Sequence, residues 1–95
     1  MKGYKLSQEA KQDLIRIHQY GSKTFGEIQA DKYFNGFFEY FELIAENPYS
    51  FPAIDIIRKG YRRAAYGSDS IYYRISSNVV EIMAIVGQQD LDGVI

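Results

Sequence analysis

The residues with most capacity for chemistry in this 95-residue chain are crowded into Arg58-Lys59-Gly60-Tyr61-Arg62-Arg63, with Arg74 eleven positions further on. An arginine fork donates to two oxygens at once, so such a cluster suits carboxylate groups on a partner. Residues 61–66 and 71–75 alternate as strands do, and neighbouring side chains on a strand point to opposite faces. Arg62 and Arg63 therefore cannot form one patch: one lies on an open face, the other toward the layer behind the sheet or its rim. Arg74, on the next strand, can stand beside either. Two readings stay open for these arginines, a carboxylate-binding ladder for a partner or internal pairing with acids of the second helix. Tyr61 and Tyr72 belong to the same candidate surface, because tyrosine offers a large contact area with a hydrogen-bonding tip. Tyr73 is assigned to the opposite, core-facing row with Ile71 and Ile75.

The net charge of −1 conceals a separation of signs. Six acids and one base lie between Phe25 and Ile57, whereas five bases and one acid lie between Arg58 and Arg74. No Lys or Arg follows Arg74. A local basic segment on a near-neutral chain points to an acidic partner rather than to a general nucleic-acid surface. The sequence pI near 5.7 contrasts with the value above about 9 expected of a nucleic-acid binder. Direct sequence-specific binding of DNA or RNA is not expected.

Other chemistries find little support. With no cysteine and one histidine, thiolate catalysis and a structural zinc site are both disfavoured, and no metal or cofactor is expected. His18 lies one step off an apolar helical stripe with no acid marked beside it, which reads as a boundary histidine rather than a general base. Glu39 and Glu42, one helical turn apart, read as a solvated face. Phosphate-binding glycine loops and nucleophile elbows are absent, so no catalytic residue is assigned. No apolar run approaches the roughly 18 residues that a bilayer helix needs, and no leader-like apolar segment opens the chain. A cytoplasmic protein is expected, with no membrane partner.

The elements that must position the cluster follow from periodicity. Tyr4-Lys5-Leu6 is a short strand, and Ser7 is a helix N-cap with Glu9 in the first turn. Ala10, Leu14, Ile17 and Gly21 form one stripe of a helix from about Gln8 to Lys23, stopped by Phe25-Gly26. Ala30, Phe34, Phe37, Phe41 and Ile44 define a second helix, widened by Tyr33, Phe38, Tyr40, Leu43 and Ala45 and ended by Asn47-Pro48. So apolar a helix must be covered on more than one side. Three strands then alternate between turns at Gly67-Ser68-Asp69 and Ser76-Ser77-Asn78, the last with Val80, Ile82, Ala84 and Val86 against Glu81 and Met83. The expected fold is a single α+β domain over residues 1–95: a short N-terminal strand, a helical hairpin and a three-stranded antiparallel meander.

In this order the chain resembles a known family. Tyr4-Lys5-Leu6-Ser7 leading into Ala10-x-x-Asp13-Leu14-x-x-Ile17, Phe25-Gly26-x-x-Gln29-Ala30 with Tyr33, and Glu46-Asn47-Pro48 are similar to the first half of toxins in the ParE branch of the RelE/ParE superfamily. Arg58-x-Gly60-Tyr61-Arg62-Arg63, Gly67-Ser68, Ile71-x-Tyr73-Arg74 and Val80-Glu81-Ile82 resemble the second half. The resemblance implies a β-α-α-β-β-β toxin of a type II toxin–antitoxin pair that acts on DNA gyrase, trapping it while its DNA is cut. It implies a cognate, ParD-like antitoxin with a flexible, acidic C-terminal segment. The antitoxin- or target-binding candidates are Arg58, Lys59, Tyr61, Arg62, Arg63, Tyr72 and Arg74. The alternative is the RelE branch, which cleaves mRNA on the ribosome with basic residues and a C-terminal arginine, tyrosine or histidine. Here the tail runs Gln88-Gln89-Asp90-Leu91-Asp92 without any of these, which disfavours the ribonuclease and favours a non-enzymatic inhibitor.

Overall fold

A computed structural model of the chain describes residues 3–87. Helix α1 (Gln8–Phe25) starts where Ser7 Oγ accepts the Ala10 N–H at 3.0 Å, with Glu9 in the first turn and Lys23 in the last. These charges complement the helix dipole. The helix runs two residues past Lys23 and stops at Gly26, whose φ of +90° strains any other residue. The Gly26 N–H closes the last turn on Ser22 O. Helix α2 (Glu27–Glu46) folds straight back along α1. Asn47 and Pro48 end it, as their backbone chemistry predicts.

Strands β1 (Tyr4–Leu6), β2 (Tyr61–Tyr66), β3 (Asp69–Ser76) and β4 (Val79–Gly87) form one sheet in the order β1-β4-β3-β2. The meander β2-β3-β4 is antiparallel, and β1 joins β4 in parallel at the edge. The α+β architecture and its element order are those expected from the sequence. Both helices lie on one face, where Phe37, Phe41 and Ile44 of α2 and Ala10, Leu14 and Ile17 of α1 meet Ile71, Tyr73, Val80, Ile82 and Ile85. The Tyr73 hydroxyl is buried and donates to Pro48 O at 2.7 Å, and burial pushes its pKa up to about 12. Tyr33 and Tyr66 lock α2 to the β2–β3 turn: each hydroxyl donates to the other's carbonyl, at 3.0 and 2.9 Å. Gly36 leaves room for the Tyr66 hydroxyl, which any Cβ at this position would displace.

The fourth strand departs from simple alternation. Tyr72 pairs with Ala84 but Tyr73 with Ile82, so a bulge at Met83 reverses the facing of everything after it. Ile85 turns into the core, while Ala84 and Val86, expected in the row of Val80 and Ile82, turn to the open face.

Both sheet edges are covered in part. Segment 52–54 runs beside β2, with Arg63 N donating to Pro52 O and Ile54 N to Tyr61 O. On the other side β1 stops at Leu6, and side chains of α1 take over its role along β4. Ser7 Oγ donates to Met83 O, Asp13 Oδ2 accepts the Ile85 N–H at 2.9 Å, and Arg16 donates to Ile85 O at 3.2 Å. Asp13 and Arg16 also pair with each other. Truncating Asp13 removes the side-chain acceptor of the Ile85 N–H in this seam, so Asp13→Ala should cost roughly 1–3 kcal/mol. Urea denaturation measures this, and an unchanged midpoint contradicts the edge-capping role.

Candidate functional site

The sheet face that the helices leave uncovered carries the basic cluster. Antiparallel pairing sets Tyr61 opposite Arg74 and Arg63 opposite Tyr72, so arginine and tyrosine alternate across β2 and β3. Such cross-strand neighbours sit within side-chain contact of one another. Arg63 and Arg74 are exposed, while Tyr61 and Tyr72 are half-buried. Arg63 Nε donates to Ser70 Oγ at 2.9 Å, and Arg74 Nε pairs with Glu81 Oε1 at 2.9 Å on β4. Lys5 of β1, paired with Glu81 in register, continues the polar row toward the far edge.

Arg58 arrives on the same face from the loop before β2, its guanidinium 5.1 Å from the centre of the Tyr61 ring. That geometry is a cation–π contact. Together Arg58, Tyr61, Tyr72, Ile57, Met83 and Ser7 frame a shallow basin of about 390 Å³. Lys59 is exposed beside it at the loop tip.

Arg62 goes the other way. It lies on the helix side at the rim, donating to Phe51 O at 2.7 Å with its guanidinium 5.2 Å from the Tyr49 ring. Neither sequence reading describes it: its partners are a carbonyl and an aromatic ring of the connecting loop, not an acid of α2. Among the described residues the ion pair recorded for this group of arginines is Arg74 with Glu81, a neighbour in the sheet. The fold thus unites Arg58, Tyr61, Arg63, Tyr72 and Arg74 and places Arg62 behind them.

Sequence periodicity passed over one part of this surface. Ile56 is fully exposed at 102% and Ile57 at 75%, on a loop that is nevertheless tightly tied. Asp55 Oδ1 accepts the Gly60 N–H at 2.8 Å, and Ile57 and Arg58 both donate to Ile54 O. The Asp55-to-Gly60 spacing is the signal for this turn, but it does not say that the isoleucines inside it face solvent. Large apolar side chains held rigidly in water mark contact surfaces.

His18 is remote from this face, on the helix layer, where Nε2 lies 2.6 Å from Asp31 Oδ1 and the ring stands edge-on to Phe34. Glu39 and Glu42 are exposed on α2. Among the described residues no three of His, Cys, Asp or Glu come together as a metal-binding group. Among the described residues no helix is long and apolar enough to cross a membrane. The Gln88-Gln89-Asp90 tail lies outside the described residues.

The described residues thus form a hairpin of helices on one face of a four-stranded sheet, with a tyrosine–arginine face left open. The chain belongs to the ParE toxin family of type II toxin–antitoxin systems, whose match spans residues 4–91. It is 39% identical over 88 residues to Toxin ParE1 of Caulobacter vibrioides, covering 93% of this chain and 91% of that one. To Toxin ParE1 of Mycobacterium tuberculosis it is 30% identical over 91 residues, covering 94% and 93%. Its fold matches a solved structure described as the chromosomal ParDE TA system from P. aeruginosa, with a TM-score of 0.78 at 19% identity, covering 92% of this chain and 96% of that one.

The two kinds of arginine should separate in stability measurements. Arg62→Ala removes a charge-assisted bond to a half-buried carbonyl, costing roughly 1.5–3 kcal/mol. Arg74→Ala removes an exposed ion pair, costing less than about 1 kcal/mol. Chemical denaturation of the two variants tests this, and equal losses would contradict the division into inward and outward arginines.

Proposed function

We propose that this toxin inhibits DNA gyrase by trapping it while its DNA is cut, and that it does so without catalysis of its own. Membership in the ParE family, over nearly the whole chain, is the observation that carries this reading. The chemistry of the open face supports it. Metal-free RNA cleavage needs a base, an acid and cations around one phosphate. Here the cations stand among tyrosines, and the His18–Asp31 pair lies on the opposite side of the sheet. A binding surface of arginine, tyrosine and exposed isoleucine is instead the composition of a protein interface. Action on gyrase goes with a cytoplasmic location.

The same face suits a cognate antitoxin. The structural relative is described as a ParDE system, that is, one that includes a second component beside the toxin. A ParD-like partner with an acidic C-terminal segment would lay its carboxylates against Arg58, Lys59, Arg63 and Arg74 and its apolar side chains against Tyr61, Tyr72 and Ile57. Arg62 serves this surface from behind, by holding the loop that carries Arg58. An extended or helical segment can fill such a groove, at an ordering cost of roughly 2–5 kcal/mol that its buried area must exceed.

Purified toxin mixed with gyrase and relaxed plasmid should lower supercoiling and raise the amount of cleaved DNA, while leaving RNA uncut with or without divalent metal. Intact gyrase activity at large toxin excess, or cleavage of ribosome-bound mRNA, overturns the reading. For the antitoxin face, Arg63→Ala should weaken binding by roughly 2 kcal/mol or more if the lost pair is desolvated. A rim pair loses less than about 1 kcal/mol, and that loss fades at high salt. Unchanged dissociation constants for Arg58, Arg63 and Arg74 variants at both salt concentrations would remove this face from the interface.

A further inference from the structure

The end of the connection between α2 and β2 is built as a closed turn. Ile54 N donates to Tyr61 O at 2.9 Å, and Ile54 O accepts from both Ile57 N and Arg58 N, each at 2.9 Å. Tyr61 N closes the tip on Arg58 O at 3.1 Å, and Asp55 Oδ1 takes the Gly60 N–H at 2.8 Å. Gly60 has a φ of +82°, a conformation that favours glycine. Residues 55–60 are all exposed, so this tied turn projects from the body of the domain as a knuckle.

Two shallow hollows flank it. One is the basin of about 390 Å³ that Ile54 and Ile57 help to line; the other, of about 270 Å³, lies among Tyr49, Asp55, Gly60 and Arg62. Tyr61 lines both hollows and Ile56 lines neither. The Ile56 side chain stands on the crest between them, wholly in water.

Shape and charge define what fits this crest. It is convex, so its complement is a preformed pocket in a folded protein. A flexible segment fills grooves and offers no pocket until it has folded. The crest is also positive. Asp55, the one acid of residues 54–61, is turned to the Gly60 N–H, and Arg58 and Lys59 follow Ile56 within three residues. An apolar side chain framed by cations matches an apolar pocket with an acidic rim.

We propose that Ile56 is the anchor by which the toxin engages its target, entering an apolar, acid-rimmed pocket on that protein. The basin beside it is left for the antitoxin segment. Naming gyrase as the target rests on the function proposed above; the contact itself does not.

Ile56 is outside the core, so its variants should unfold in urea at the wild-type midpoint. In the full-length toxin, Ile56→Asp should raise the concentration that half-inhibits purified gyrase by roughly tenfold or more, the loss typical of a central anchor. Ile56→Leu keeps the apolar volume and should stay within about threefold of wild type. Lys59→Glu should also weaken inhibition, with an effect that fades at high salt. Ile56→Asp should keep the wild-type dissociation constant for the cognate antitoxin. Undiminished gyrase inhibition by Ile56→Asp overturns the proposal, as does an equal loss of antitoxin binding. Growth arrest on induced expression separates the anchor from the identity of the target. If the wild type arrests growth without affecting gyrase, and Ile56→Asp does not arrest it, the anchor stands and the gyrase reading falls. If Ile56→Asp arrests growth as the wild type does, the anchor falls. A wild-type chain that neither inhibits gyrase nor arrests growth overturns both.

Discussion

The structure depends on the need to cover helix α2 on two sides. Phe37, Phe41 and Ile44 are fully buried, and Phe34, Phe38 and Tyr40 widen the apolar surface around them. No single neighbour can remove that much area from water, and burial of this kind is the main term holding a small domain together. Helix α1 takes one flank and the sheet takes the other. Since α1 and α2 are joined by one glycine at Gly26, both are committed to the same face of the sheet. The opposite face is open as a consequence, and that is where the arginines and tyrosines are found.

A sheet covered on one face only still has to satisfy its edges, since unpaired backbone groups invite other chains. The protein handles its two edges with different materials. Along β2 it uses backbone, from the loop segment 52–54, and this also fixes the loop that presents Ile56, Ile57 and Arg58. Along β4 it uses side chains of α1, where Asp13 and Arg16 bond the N–H and C=O of a single residue, Ile85. Core, edges and candidate surface are thus mutually dependent: the bulge at Met83 that brings Ile85 into the core and to Asp13 also sends Ala84 and Val86 to the open face.

The surface itself combines rigidity with unspent contact area. Cross-strand pairing fixes the spacing of Tyr61, Arg63, Tyr72 and Arg74, and the short connections around Asp55 and Gly60 fix the loop. Little ordering is left to occur on the toxin's side when a partner docks, which lowers the entropic cost of association. In the antitoxin complex proposed above, the ordering cost falls on the partner.

The sequence by itself determined the elements and their order. Helical stripes at spacings of three and four, the Ser7 cap, the Asn47-Pro48 stop and period-two alternation after Tyr61 are local signals, set by backbone sterics and by which side chains face water. It also determined that Arg62 and Arg63 must part. Which of them lies on the open face was left to the tertiary structure, because that depends on which face of the sheet the helices occupy. Only there does Arg62 meet Phe51 O and Tyr49, and only there do Tyr61 and Arg74, thirteen residues apart, become neighbours. The bulge in β4 was equally hidden: it arises from pairing with β3, and Val80 to Val86 read alone as unbroken alternation. The exposed Ile56 and Ile57 escaped for the same reason. Composition can say that a residue is apolar, but its burial is a property of what the rest of the chain brings against it.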